Sequence, residues 1–358
     1  MMLFNYVKSD EEMFNTIVDG AIESTRLAME GNVNRKEYED LQTDLNANIA
    51  KYLVEGTRYA AKGSEALKDP NVTRNRSIRE KFDAVIAQVI NSVIPMTASR
   101  VYGESFMDIH QIGWGDTARF LVSSNDLWKV NEIAEGILRA TLQPIYNDEI
   151  TVNCGTVEIA TSIDWYAVAA GVFDWGQFGL RAGRSFEGYI MLKAIAAMTS
   201  VGDELGAAYT AAGVSTDQWT TLVDRVSAAN GGAAVYGLGT LAALNQVIPA
   251  TVGLQYGLGE EVAKKGYLDM YLGSRLIPID QFIVPGTVNT TAQLGVPTDV
   301  IYLVAADQYK PVKVVFEGDS VVVEAIPERT TDKVYGISIQ MKIGVAAVVG
   351  SKMGIITL

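Results

Sequence analysis

The stretch from Phe173 to Ser200, FDWGQFGLRAGRSFEGYIMLKAIAAMTS, limits the architectures open to this chain more than any other. Apolar or small side chains recur at Phe178, Ala182, Phe186, Ile190, Ala194 and Met198, the spacing of one helical face, which predicts a long helix in mid-chain. Phe178, Phe186, Ile190 and Met198 are its expected core face, and Arg181, Arg184, Glu187 and Lys193 its outer one. Four glycines (Gly176, Gly179, Gly183 and Gly188) oppose helix at the start, since each interior glycine costs roughly 1 kcal/mol relative to alanine. The first turns are therefore expected as loop. A phosphate-cradling loop would need GxGxxG after a buried strand or GxxxxGK[ST], and the stretch has neither. Close approach of a neighbouring backbone is the reading these glycines support.

Around this helix the pattern changes three times. Residues 9 to 95 carry three helix starts in which a capping residue precedes a Glu by three positions: Ser9 with Glu12, Asn34 with Glu37, and Ser77 with Glu80. Gly31, Gly56 and Pro95 are the expected ends. From about Tyr102 to Val168 short β-prone runs follow, with Trp114, Phe120, Trp128, Tyr146 and Trp165 scattered through them. So many aromatics on an extended excursion need a surface to cover, either the chain's own core or a neighbouring subunit. Residues 201 to 305 alternate helix and strand signals: a helix capped at Ser215 or Thr216, and a buried strand at Arg275 to Ile279. The end is almost wholly β, with Glu317 to Asp319 expected as a hairpin turn.

Charge and residue usage exclude several function classes. The 42 acidic against 29 basic residues leave a net charge of −13, which argues against a protein whose main task is to grip nucleic acid. The excess lies in residues 101 to 300, with 10 basic and 21 acidic residues. Arg74, Arg76, Arg79 and Lys81 form the one basic cluster. It reads as a solvated helix start or as a weak, salt-sensitive patch facing an anionic partner such as a phosphate backbone. A single cysteine, Cys154, excludes an intramolecular disulfide, and with a single histidine, His110, leaves too few ligands for a transition-metal site. A reducing compartment is expected.

Neither residue has a partner motif that would make it catalytic. The adjacent acidic pairs (Asp148 with Glu149, Asp203 with Glu204, Glu260 with Glu261) point apart on either a helix or a strand. No enzyme and no cofactor are expected. The start, MMLFNYVKSDEEMF, has no basic segment followed by a long apolar run, so neither a signal peptide nor a membrane span is expected.

A helical amino-terminal arm, a β excursion, a central helix, an α/β lobe containing GYLDMYLGSRLIPID and a β-rich return ending GISIQMKIGVAAVVGSKMGIITL together resemble the major capsid proteins of tailed phages. The resemblance covers about residues 95 to 358 and rests on the order of elements. It implies an α+β chain of the Hong-Kong-97-type capsid fold. In that frame residues 1–95 are an amino-terminal helical arm, 96–170 an extended β loop and the start of a peripheral domain, and 171–200 its spine helix. Residues 201–305 are then an axial domain and 306–358 the returning peripheral strands and C-terminus.

The same resemblance implies assembly through pentamers and hexamers into an icosahedral shell around double-stranded DNA. Trp114, Phe120, Trp128 and Tyr146 of the extended loop would lie across neighbours, and Arg74, Arg76, Arg79 and Lys81 would face the genome. Implied partners are copies of the chain itself, portal, scaffolding or decoration proteins, and packaged DNA in weak non-specific contact, with no membrane. The implied location is the virion, assembled in the host cytoplasm. Members trimmed by a protease exist, and with Met1 in place this chain is expected to be untrimmed. Two other readings stay open: an encapsulin-like compartment shell, and a soluble α+β enzyme or binding module.

Overall fold

A computed structural model describes residues 8–30, 35–69, 72, 75–102, 106–123, 130, 132, 142, 146–248, 258–305, 310–324, 334–347 and 353–358. The fold is α+β and divides into two interleaved units. The first comprises residues 1–101, 155–187 and 316–343, and the second residues 102–154, 188–315 and 344–358.

Three helices open the first unit: α1 (Lys8–Glu30), α2 (Arg35–Val54) and α3 (Arg76–Tyr102), with a 3-10 segment at Ala60–Lys68 between the last two. The third starts differently from expectation. Asn75 caps it, accepting from Ser77 N at 3.0 Å, two positions before the cap that the Ser77–Glu80 pattern predicts. Nor does Pro95 end it: the helix runs on to Tyr102. A proline inside a helix loses one hydrogen bond. Here the apolar stripe Ile78, Phe82, Val85, Ile86, Val89, Ile90 and Val93, all fully buried, outweighs that local cost. Phe82 is the hub, meeting Trp165 and Trp175 edge-on at 5.6 and 5.9 Å. Trp165 lies in the short α4 (Trp165–Ala170) and donates from Nε1 to Leu67 O.

The sheet portion of this unit is formed by β4 (Gly155–Asp164), antiparallel to β11 (Val334–Ala347), which neighbours β10 (Val312–Glu324). The β4–β11 register sets Val157 opposite Met341, Ile159 opposite Ile339 and Thr161 opposite Ile337, so one apolar face continues across both strands. The turn expected at Glu317–Asp319 is absent. β10 passes straight through it, and Gly318, at φ 68, takes up the irregularity that a residue with a Cβ would resist.

In the second unit a six-stranded sheet runs β5-β12-β9-β6-β8-β7, from β5 (Thr210–Ala212) through β12 (Gly354–Thr357), β9 (Val300–Ala305), β6 (Val235–Gly239) and β8 (Ser274–Pro278) to β7 (Met270–Tyr271). Three helices accompany it: α6 (Thr216–Ala229), α7 (Leu241–Gln246) and α8 (Leu258–Lys265). Ser215 caps α6 in a reciprocal box with Gln218, one of the two caps expected there. The core joins Trp219, Leu222 and Val226 of α6 to Leu276, Ile301, Leu303 and Ile356 of the sheet. Residues 354–357, grouped in the sequence with the returning strands, thus belong to the 201–305 lobe. Gly354, Ile355 and Ile356 of their run GIIT are buried, and Gly354 lets β12 come close to Leu222 and Val226 of α6, where a Cβ would lie 3.1 Å from each.

The long mid-chain helix, α5, extends over 30 residues (Trp175–Glu204), beginning in the first unit and ending in the second. It includes all four glycines and starts three residues before Phe178. The expectation of loop over its first turns is corrected by packing. A Cβ at Gly176 would fall on Ser24 and Tyr38, and one at Gly179 on Thr25, so glycine is what allows α1 to lie against α5. That contact repays the propensity loss.

Candidate assembly surfaces

Between β1 (Met107–Ile112) and β4 the chain makes a two-stranded ribbon, β2 (Ala118–Ser123) antiparallel to β3 (Tyr146–Val152). β1 and β4 themselves are strands of the four-stranded sheet β1-β10-β11-β4. The ribbon is seated at its base. Ala118 and Val152 pack on Val315 of β10, with Phe120, Ile112 and Cys154 at the margin. Trp114, in the turn between β1 and β2, and Leu121, further out on β2, are more than half exposed.

A polar group pins the same base. Lys313, 8% exposed along its side chain, donates from Nζ to Asp108 Oδ2 at 2.6 Å. His110 Nε2 lies 2.9 Å from the same oxygen, and its ring meets Phe120 edge-on at 5.0 Å. Lys313 also stands 5.5 Å over the Phe120 ring. Burial alone would raise the Asp108 carboxyl; the hydrogen bonds from Lys313 and His110 outweigh it and hold the group below the usual carboxylate range.

The sequence-derived residues thus fall in different settings. Phe120 is half-buried in a cluster of its own chain, whereas Trp114 is exposed. Trp128 and the Tyr146 side chain lie outside the described residues, as does Arg74. Arg76 is exposed and paired with Glu80 at 2.7 Å, and Arg79 is half-buried. Lys81 has to be removed from the basic patch. Its ammonium donates to Tyr52 O and Glu55 O at 3.0 and 2.9 Å and sits 4.6 Å from the Tyr52 ring centroid, closing the carboxyl end of α2. Along α5, Phe186, Ile190 and Met198 are buried, while Phe178 is half-buried and lines a groove of about 530 Å³ with Ile159, Thr161 and Arg181.

A second polar network was not anticipated. Asp174 caps α5, accepting from Gln177 N at 2.9 Å and from the Tyr38 hydroxyl at 2.6 Å. Trp175 Nε1 donates to Asn46 Oδ1, while Asn46 Nδ2 reaches Phe173 O and Gln42 Oε1 accepts from Trp175 N. The Tyr38 hydroxyl is pushed up to about 12, first by burial and then by Asp174. An Asp just before a helical run is an N-cap signal. The glycines at 176 and 179 mask that signal in the sequence. Among the described residues no group of three His, Cys, Asp or Glu is placed to hold a metal ion, and no helix is long and apolar enough to cross a membrane.

No protein-family model matches the sequence, and no curated protein matches it significantly. Solved structures do. The chain is similar to the capsid of the cyanophage P-SCSP1u at 14% identity, covering 70% of this chain and 85% of the other with a TM-score of 0.46. Similarity to the mature capsid of bacteriophage PhiM1 is at 13% identity over 72% and 87%, TM-score 0.47. A virus-like particle from Pyrococcus furiosus matches at 9% identity over 76% and 99%, TM-score 0.43.

Proposed function

We propose that this chain is the major capsid protein of a tailed double-stranded DNA bacteriophage, a structural subunit and not an enzyme, which assembles with its own copies through pentamers and hexamers into an icosahedral shell. The observation that carries this reading is the β2–β3 ribbon. A two-stranded ribbon is marginal in water on its own. This one is held by a small apolar cluster at its base and leaves Leu121 exposed on β2, with Trp114 exposed in the turn that precedes it. Surface of that kind is covered when a neighbour lies under it, and a thin shell is a lattice of such contacts.

The order of elements supports the same reading: an amino-terminal helical region, a ribbon, a long helix spanning two units, an α/β lobe and a β return. A net charge of −13 suits a wall that encloses DNA without gripping it. Contact with the genome is then weak and non-specific. Portal, scaffolding and decoration proteins are the further partners of such a shell, which assembles in the host cytoplasm and resides in the virion.

Electron microscopy and sizing of the purified full chain test the proposal. Closed shells or capsomers of megadalton order are expected, and a compact monomer would overturn it. Particles filled with a specific protein cargo in place of nucleic acid would transfer the chain to the compartment shells.

A further inference from the structure

The β2–β3 ribbon has two unlike faces. Ala118, Phe120 and Val152 turn towards their own chain, on or beside Val315. By alternation Arg119, Leu121, Glu149 and Thr151 share the other face, and all four are exposed. Leu121 stands opposite Glu149 in register, and Arg119 is the diagonal neighbour of Glu149, with Nη1 3.3 Å from Oε1. This face therefore carries one apolar side chain beside a cation and an anion whose Cα atoms stand about 7–8 Å apart. Of the ribbon's other carboxyl residues, Asp148 belongs to the alternate set of β3 and Asp116 to the turn before β2.

The first unit carries the inverse arrangement. Its groove of about 530 Å³ between β4 and α5 has an apolar floor of Phe178, Ala182 and Ile339. Two charged residues line it, Asp174 and Arg181, both exposed and seven positions apart, or about 10 Å along the helix axis. The hydrogen bonds that Asp174 accepts from Gln177 N and the Tyr38 hydroxyl both fall on Oδ1, so Oδ2 is open to a further donor. Arg181 forms no ion pair with a described residue. Next to the lining in sequence stand Glu158 and Asp164 on β4, and Arg184 and Glu187 on α5. Glu158 accepts from Ser338 Oγ and Asp164 from Tyr166 N, so both of these carboxylates are engaged within their own chain.

We propose that the outer face of the ribbon of one copy lies in the β4–α5 groove of the next, with Leu121 on the floor, Arg119 facing Asp174 and Glu149 facing Arg181. The occupant is a second copy because every chain presents both members of the match: an apolar centre, a cation and an anion at one surface, and their complements at similar spacing at the other. Opening the Arg119–Glu149 pair costs little, since an exposed ion pair is weak. Such a contact is head-to-tail and repeats around a ring. The inference rests on the shell-subunit reading and names the surface that the ribbon covers.

Two engineered cysteines test it in the full chain. Thr161 borders the groove on β4 and is exposed. In a Cys154→Ser background, Leu121→Cys combined with Thr161→Cys is expected to give, on mild oxidation, a ladder of linked chains ending at the ring size, and neither single variant should give one. Shells without a ladder overturn this contact and leave the shell reading standing. A ladder without shells supports the contact and removes the shell reading, and a monomer without a ladder overturns both. As a second readout, Arg181→Glu is expected to lower capsomer yield about tenfold, and Glu149→Lys added to it to restore the yield. Parent-level assembly of Arg181→Glu, or no recovery in the double variant, contradicts the seating.

Discussion

Asp108 shows how one carboxylate can make the seat of the ribbon sensitive to acid. Its pKa is lowered in the folded chain because Lys313 and His110 favour the ionised form over the cost of burial. A group with a depressed folded pKa contributes stability above its unfolded value, about 3.9, and loses it as pH falls through the folded value. The thermal midpoint of the parent should therefore drop more steeply between about pH 5 and pH 3 than that of Asp108→Asn. Parallel curves for the two would remove Asp108 from this role. Gly176 gives a sharper case, because two effects of known sign compete there. Alanine is the better helix former by roughly 1 kcal/mol. Its Cβ, however, would meet the Ser24 carbonyl oxygen at 2.8 Å, and a backbone atom cannot swing aside. Gly176→Ala should then destabilise by about 1–3 kcal/mol in denaturant unfolding; a gain in stability would show that α1 does not lie against α5.

At the scale of elements, α5 decides the fold. Phe186, Ile190 and Met198 are buried along it, and a carboxylate at Phe186 would have neither partner nor water. Phe186→Asp should cost at least about 3 kcal/mol and leave no soluble assembled protein, checked by sizing of the soluble fraction. Normal assembly of that variant would contradict the placement of the helix.

The helix was readable in the sequence because a 3.6-residue stripe survives its glycines. Its true start was not, since the contacts that compensate Gly176 and Gly179 come from Ser24 and Thr25, some 150 residues away. Ser215 was legible as a cap because capping is local. The pairing of Lys313 with Asp108 was not, because 205 residues separate them. Lys81 looked like surface because composition marks a cation without its direction; the carbonyls it binds belong to another helix. Of the candidate contact residues, Phe120 turned partly inward for a similar reason: alternation along β2 shows that it shares a face with Ala118, but not that Val315 of β10 covers that face.

For the whole molecule, the ribbon, the exposed apolar positions and the acidic balance support the proposal that the chain assembles with copies of itself. Neighbour burial shifts such a chain toward assembly by mass action, so the folded state of an isolated copy should be less stable than that of a copy in a particle. The most direct test is a cryo-electron microscopy reconstruction of the assembled full-length protein. Density for β2–β3 of one copy should lie on the surface of its neighbour, with Trp114 and Leu121 covered. A reconstruction in which the ribbon stands free in solvent, or a preparation that yields only monomers, would contradict the reading of this chain as a shell subunit.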